Sequence, residues 1–282
     1  MNIIKPALKR GFPQTYDRVR EWKCALTSRM RSSPLSDAGM FSRYTVKHTY
    51  GDHEFEVDIT DPLARGWYDH DWDRLGEIDM IRANGLRNGC LVFDLGAHQN
   101  VVAMMWAKEV GPCGTVISVE GSRHNFEVGR RNISLNGFTN IITLHAVVAE
   151  TEGEVLFTQT LNGCVSIEEG EFLTKPVRAI TIDGLAQEFG SPDVLFLDIE
   201  GYEIAALRGA TRTLKTQATW FIEVHGDEVL SKYGSQNADI FDFFQDRCEY
   251  YYRTMEKGSF VRLEGNDAIP ESRFFLAAVP KC

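Results

Sequence analysis

The sequence predicts an α/β fold, a three-layer sandwich in which helices cover both faces of a mostly parallel sheet. Three observations lead there. Apolar runs of strand length, LVFDL, TVISVE, NIITLHAVV, VLFLDIE and TWFIEVHG, recur with helical periodicity between most of them. The first run ends in an acid and a glycine and passes directly into VVAMMWAKEV, whose apolar positions suit a helix. Near the C-terminus a helical stretch precedes two aromatic, alternating segments, EYYYRTM and FFLAAVP, which mark an antiparallel edge.

Composition sets the outer bounds. With 43% hydrophobic, 11% aromatic and 25% charged residues, the chain of 282 has ample core for a globular protein. The expected organisation is a basic extension and β-hairpin over residues 1–60 and one α/β domain over residues 61–282. A net charge of −10 argues against a nucleic-acid partner, which wants a basic face. Six scattered cysteines without a C-x-x-C pair fit neither a zinc site nor a disulfide scaffold and point to a reducing cytoplasm. No apolar run approaches the ~18 residues of a membrane span, and the N-terminus lacks the apolar core of a secretory signal.

Taken in order, Met1 to Met40 is the basic part of an acidic chain, read as a solvated helix with a linker at RSSPLSDAG. Trp22, Leu26 and Met30, spaced by four, form a stripe suited to the domain or to a second subunit, which makes a homodimer an expected option. Tyr44 to Thr60 alternates around Gly51 and Asp52 and reads as a hairpin. Asp71 to Ala83 reads as a helix with Leu75, Ile78 and Ile81 on one face. Trp67, Tyr68 and Trp72 are assigned to core, with a roof over a ligand pocket as the alternative.

Leu91 to Asn100 then supplies strand, tight turn and helix start, placing Asp94 and the backbone of Gly96, Ala97, His98 and Asn100 at a ligand crevice. Glu120 ends the next strand at the distance expected of a ribose-binding carboxylate. Gly121 follows, Ser122 is the N-cap of the next helix, and Asn136 and Gly137 stop it. NIITLHAVV is the third strand, with His145 and Ala146 at its end as candidates to border an adenine; a hydrogen-bonded structural role for His145 is the competing reading. EVLFTQT and VRAITID read as strands flanking the loop LNGCVSIEEG. VLFLDIE, the helix EIAALRGATRTLK, TWFIEVHG and a helix over Asn237 to Asp246 complete the order.

The ligand follows from what the turn lacks. A dinucleotide fingerprint starting at Gly96 needs glycines where His98 and Val101 stand, because pyrophosphate must approach that backbone closely. This disfavours an NAD-dependent oxidoreductase. An adenosine ligand without phosphates needs no such approach, and Asp94 suits one bearing an ammonium group. S-adenosylmethionine has both properties.

The segments DLGAHQN, SVEGSRHNFEVGRRNISLNG, DVLFLDIEGYEIAALRGA and FIEVHG resemble the successive motifs of the FkbM family of methyltransferases, from about Tyr50 to the C-terminus. The resemblance implies a class I, Rossmann-like fold with a seven-stranded sheet whose C-terminal strand is antiparallel. It also implies S-adenosylmethionine as cofactor. Two positions depart from the family pattern, Asn100 where a second glycine is usual and Gly121 where a proline is usual. Asn tolerates the left-handed conformation, so Asn100 preserves the turn in this reading. A Rossmann-like binding or regulatory protein with weakened catalysis is the alternative these departures leave open.

Asp198 with Glu200, and Glu223 with His225, close two consecutive strands, and side chains two apart on a strand share a face. If the strands are neighbours, the four groups converge. Three readings compete. His225 or Asp198, with Glu223 alongside, acts as general base on an acceptor hydroxyl. Asp198, Glu200, Glu223 and His225 bind a divalent cation, ranked second. Some are structural, with Glu200 capping the next helix. The expected function is O-methylation of a small molecule or sugar; FLDIEG in place of an Asn/Asp-Pro-Pro-aromatic motif disfavours methylation of a nucleic-acid base.

Overall fold

The computed structural model describes residues 36–167, 173–254, 259–264 and 267–281; the expected helical stripe Trp22, Leu26 and Met30 lies outside them. After a single helical turn at Ser36–Gly39, the hairpin forms as β1 (Tyr44–Tyr50) and β2 (His53–Ile59), paired antiparallel as a sheet of their own. Next comes α1 (Pro62–Tyr68), a helix the sequence reading left out, although Asp61 caps it by accepting from the Ala64 N–H and Pro62 sits in its first turn. The expected helix over Asp71–Ala83 is shorter, α2 (Gly76–Ala83).

The main sheet is built from β3 (Leu91–Leu95), β4 (Thr115–Glu120) and β5 (Ile141–His145), with α3 (Val101–Val110) and α4 (Arg123–Leu135) as the crossovers between them. Ser122 caps α4 through the Asn125 N–H, and the helix stops at Asn136. NIITLHAVV does not stay in one strand. It breaks at Ala146, and β6 (Val147–Val148) leaves to pair with β8 (Thr174–Ile180), which also pairs with β7 (Gly153–Thr158) in a three-stranded side sheet. The strand read through VRAITID ends at Ile180, because Thr181 caps α5 (Ile182–Phe189), another helix not anticipated.

The chain returns to the main sheet as β9 (Val194–Leu197), α6 (Glu203–Arg208) and β10 (Thr219–Val224). The single helix read over EIAALRGATRTLK is interrupted after Arg208, and only Thr213–Lys215 regains a turn, as 3-10 helix. Short helices α7 (Asp227–Leu230) and α8 (Asp239–Phe244) precede β11 (Cys248–Thr254), β12 (Val261–Arg262) and β13 (Phe274–Pro280). The strand order is β12-β11-β13-β10-β9-β3-β4-β5, with β13 antiparallel to both its neighbours. This is the expected seven-stranded, Rossmann-like sheet plus a two-residue edge strand, β12.

Alternation along the buried strands separates two cores. Phe93, Leu95, Ile117, Leu195, Leu197, Trp220 and Ile222 face Leu185, Leu207 and Phe244 of α5, α6 and α8. Val92, Val116, Val194 and Phe221 face α2, α3 and the hairpin through Ile81, Met104, Trp106 and Phe55. Each fully buried large side chain contributes about 2 kcal/mol by area removed from water, so the sheet is locked from both sides. Among the described residues no helix is long and apolar enough to cross a membrane. Strand order reverses between β3 and β9, and that switch point opens a crevice at their carboxyl ends.

Candidate active site

At the crevice, β3 and β9 lie so close that a Cβ on Gly96 would stand 1.7 Å from the Asp198 carbonyl oxygen, and Gly96 takes φ +94°. Only glycine meets both demands. His98 and Asn100 also adopt positive φ, 47° and 63°. Asn100 thus holds the left-handed turn expected of it. The side chain of Asn100 points away from the crevice, against Gly129 and toward Thr143 Oγ1 at 3.4 Å.

Two carboxyls frame this end. Asp94 is buried, and its Oδ2 makes no hydrogen bond in the structure; burial pushes its pKa up to about 7. Glu120 accepts from the His98 N–H at 2.8 Å and the Ser122 N–H at 2.7 Å. Burial pushes its pKa up to about 8 against those bonds, with the Asp94 charge adding to the rise. The two backbone donors fix the Glu120 carboxylate at the tip of β4 and leave each oxygen a second lone pair.

One cavity of about 310 Å³ gathers Asp94, Gly96, Ala97, His98, Glu120, Gly121 and Ala146 with Asp198, Glu200 and Glu223. Asn100, Ser122 and His145 are not part of its wall. His145 Nε2 instead lies 3.1 Å from the Gly121 carbonyl oxygen, and its ring packs on Phe126. At Gly121 a Cβ would meet the Phe157 ring at 2.7 Å, so the glycine makes room for an aromatic side chain on the cavity wall.

Trp67, Tyr68 and Trp72 join the core on the hairpin side of the sheet, as assigned, and also form another part of that wall. The Tyr68 hydroxyl lies 2.8 Å from His98 Nδ1, and the Trp67 and His98 rings are 4.9 Å apart. The end of α1 is thereby fastened to the turn after β3. No local pattern signalled this contact, because Tyr68 and His98 lie 30 positions apart.

At the other end, β9 stops at Leu197, one residue before Asp198. Glu200 sits in the following turn with φ +56°, so strand alternation is not what pairs it with Asp198. Nor does Glu200 cap α6, whose N-terminus has no side-chain cap. Its Oε1 accepts from Asn162 Nδ2 at 2.6 Å, and its Oε2 lies 3.4 Å from His225 Nε2. Asp198 Oδ1 is 3.5 Å from the same nitrogen. Asp198, Glu200 and His225 therefore meet, and Glu223, ion-paired with Arg273, neighbours Asp198 on the same cavity wall.

His225 stands behind this wall, buried, with Nδ1 2.8 Å from Oε1 of Glu203. Burial alone would lower the imidazole pKa, but the charges of Glu200 and Glu203 reverse this and hold it well above the usual value. Burial and the neighbouring Glu223 charge push Asp198 up in turn. Glu203 and Arg273 escaped the sequence reading. Glu203 looked like the first residue of a helix, and Arg273 reaches Glu223 only because β13 pairs Phe274 with Val224.

Residues 94–253 match the family described as the methyltransferase FkbM domain. Among solved structures, the methyltransferase FkbM from Methylobacillus flagellatus KT is similar at 16% identity and a TM-score of 0.43, over 67% of this chain and 43% of that one. The chain thus spans less than half the length of that protein. A SAM-dependent O-methyltransferase from Thermotoga maritima is similar at 11% identity and a TM-score of 0.45, over 85% of this chain and 78% of that one. A putative rRNA-methylase from Clostridium thermocellum is similar at 12% identity and 0.45, over 72% and 93%. No curated protein matches the sequence.

Proposed function

Because the chain belongs to the FkbM methyltransferase family, we propose that it transfers a methyl group from S-adenosylmethionine to a hydroxyl oxygen of a small molecule or sugar. The observation that carries this reading is the shared cavity: Asp94 and Glu120 stand at one end and Asp198 and Glu223 at the other.

The residues fit the cofactor. Asp94 offers a buried carboxylate with an unpartnered oxygen, suited to an ammonium group. Glu120 has lone pairs left for ribose hydroxyls, and Ala146, Val147 and Val148 give an apolar flank for the adenine. Among the described residues of the wall, Arg273 is the one Lys or Arg, and it is paired with Glu223, so no basic group waits for a phosphate. When bound, S-adenosylmethionine supplies an electrophilic methyl carbon on a sulfonium. The aromatic faces of Trp67 and Trp72 suit a cation, and the acidic wall does too.

At the acceptor end, Asp198 and Glu223 are the carboxylates placed to take the hydroxyl proton. His225, backed by Glu203, sets the charge and orientation of Asp198 from behind. Glu223 is held beside the cavity by its ion pair with Arg273.

The test is turnover across a panel of sugars, polyketides and peptides, with the product located by mass spectrometry. A methyl ether on one hydroxyl class is expected, and deoxy analogues should be inert. Methylation at carbon or nitrogen, or no turnover with any hydroxyl, overturns the reading. His225→Ala should cut turnover much more than cofactor affinity; an equal fall in both assigns His225 to the cofactor pocket.

A further inference from the structure

Just past β9 and β10, Asp198, Glu200 and His225 each bring one oxygen or nitrogen to a common point, all three atoms within 4.8 Å of one another. The separations of 3.5 Å and 3.4 Å from His225 Nε2 are too long for charge-assisted hydrogen bonds, which close to about 2.7–2.9 Å. Atoms bonded to one cation at about 2.1 Å stand roughly 3.0–3.4 Å apart, from an octahedral edge to a tetrahedral one.

Two independent features point to a ligand there. His225 is 6% exposed, and its Nε2, like Asp198 Oδ1, is buried and makes no hydrogen bond. The other ring nitrogen is committed: Nδ1 faces Glu203 Oε1, an acceptor, so Nδ1 carries an N–H and Nε2 is the ring atom turned to the two carboxylates. Such an array sets the carboxylates of Asp198, Glu200 and Glu203 around one imidazole and draws positive charge to its centre. It is also the arrangement in which an outer carboxylate orients a metal-binding histidine. Asn162 does the same for Glu200, holding Oε1 while Oε2 turns toward His225.

We propose that Asp198, Glu200 and His225 bind one divalent cation of the borderline class that accepts both carboxylate oxygen and imidazole nitrogen, such as Mn²⁺ or Zn²⁺. Glu203 and Asn162 are positioning residues for it. Asp198 and Glu200 belong to the cavity wall, so the coordination positions left open face the cavity. Resting on the methyl-transfer reading above, the acceptor hydroxyl oxygen takes one of those positions. A hydroxyl oxygen held there would lose its proton to the Glu223 carboxylate, since Asp198 would then be a ligand, and its O–C bond to the methyl carbon would form as the methyl–sulfur bond breaks, the electron pair staying on sulfur.

The test is a titration of chelator-treated, dialysed protein with Mn²⁺ alone, cofactor and acceptor absent, followed by calorimetry and by loss of the free Mn²⁺ electron paramagnetic resonance signal; Zn²⁺ is titrated in parallel. One site per chain is expected. His225→Ala and Glu200→Gln should each weaken it at least tenfold, and Glu203→Gln by about tenfold, while circular dichroism and S-adenosylmethionine affinity stay unchanged. Asp52→Asn, in an exposed acidic group, is the control and should bind as wild type. Absence of a stoichiometric site for either ion, or variants that bind like wild type, overturns the proposal. Full turnover by metal-free enzyme overturns the cation's part in the reaction but leaves methyl transfer standing. Stoichiometric binding in a protein that methylates no hydroxyl supports the site and removes the methyl-transfer reading instead.

Discussion

Glu120 does two things at once, and Glu120→Ala removes both. Its oxygens accept from the His98 and Ser122 N–H groups, so it holds the turns after β3 and β4 in register as well as facing the cavity. Glu120→Ala should weaken S-adenosylmethionine binding by about 1–3 kcal/mol, the cost of removing a charged hydrogen-bonding partner. Unchanged affinity by calorimetry would count against a ribose role. A second pair lies nearby. Asn100 fills the space above Gly129, where an added Cβ would stand 2.1 Å from Asn100 Nδ2. Gly129→Ala should therefore destabilise the protein by roughly 1–3 kcal/mol through overpacking. Adding Asn100→Gly, which keeps the positive φ and removes the clashing amide, should recover most of that loss in denaturant melts. Additive losses in the double variant would show that the two positions do not share the space.

At the scale of elements, the site depends on two turns pressed together, the one after β3 and the one after β9. Gly96→Ala puts a Cβ into the Asp198 carbonyl and a side chain on φ +94°, so the turns must part. Cofactor affinity and turnover should fall together in this variant, whereas His225→Ala separates them; a Gly96→Ala enzyme with intact turnover would show that the close approach is dispensable. This contrast also explains what the sequence disclosed. Asp94, Gly96 and Glu120 were legible because strand, turn and helix are contiguous, and local pattern alone places them. Asp198, Glu223 and His225 were legible as ends of apolar runs, but the reason first assigned to Glu200 was strand alternation, and its turn conformation replaces that. Helices α1 and α5 were hidden because each is only seven or eight residues long and follows a strand with two or fewer intervening residues, so the change of period is too short to read. Glu203, Arg273 and the aromatic wall take their places from pairings across 20 to 50 positions or more, which no local window contains.

Across the whole molecule, the cofactor end carries two carboxyls whose pKa values burial has raised, to about 7 for Asp94 and about 8 for Glu120. In the unfolded chain both ionise near pH 4. Between those values the folded state binds more protons than the unfolded one, so stability falls as pH rises. Their favourable contribution is fully present below about pH 4 and is lost as pH climbs through 7 to 8. Asp61 acts in the opposite sense: burial would raise its pKa, but bonds from His124 and the Ala64 N–H hold it at about 2, so its contribution is lost only in strong acid. Between pH 6 and 7.5 the first pair therefore governs, and the cofactor-free protein should melt at lower temperature at pH 7.5 than at pH 6. A cationic ligand reverses the balance, because an ammonium beside Asp94 and hydroxyls at Glu120 favour the ionised forms. Binding of S-adenosylmethionine at pH 6.5, below the pKa of a free α-amino group, should release on the order of one proton per chain. Calorimetry in two buffers of different ionisation enthalpy reads that number directly. The rise in melting temperature given by the cofactor should also be larger at pH 7.5 than at pH 6. Proton uptake on binding, or a stabilisation that shrinks over this range, would place the ammonium group away from Asp94.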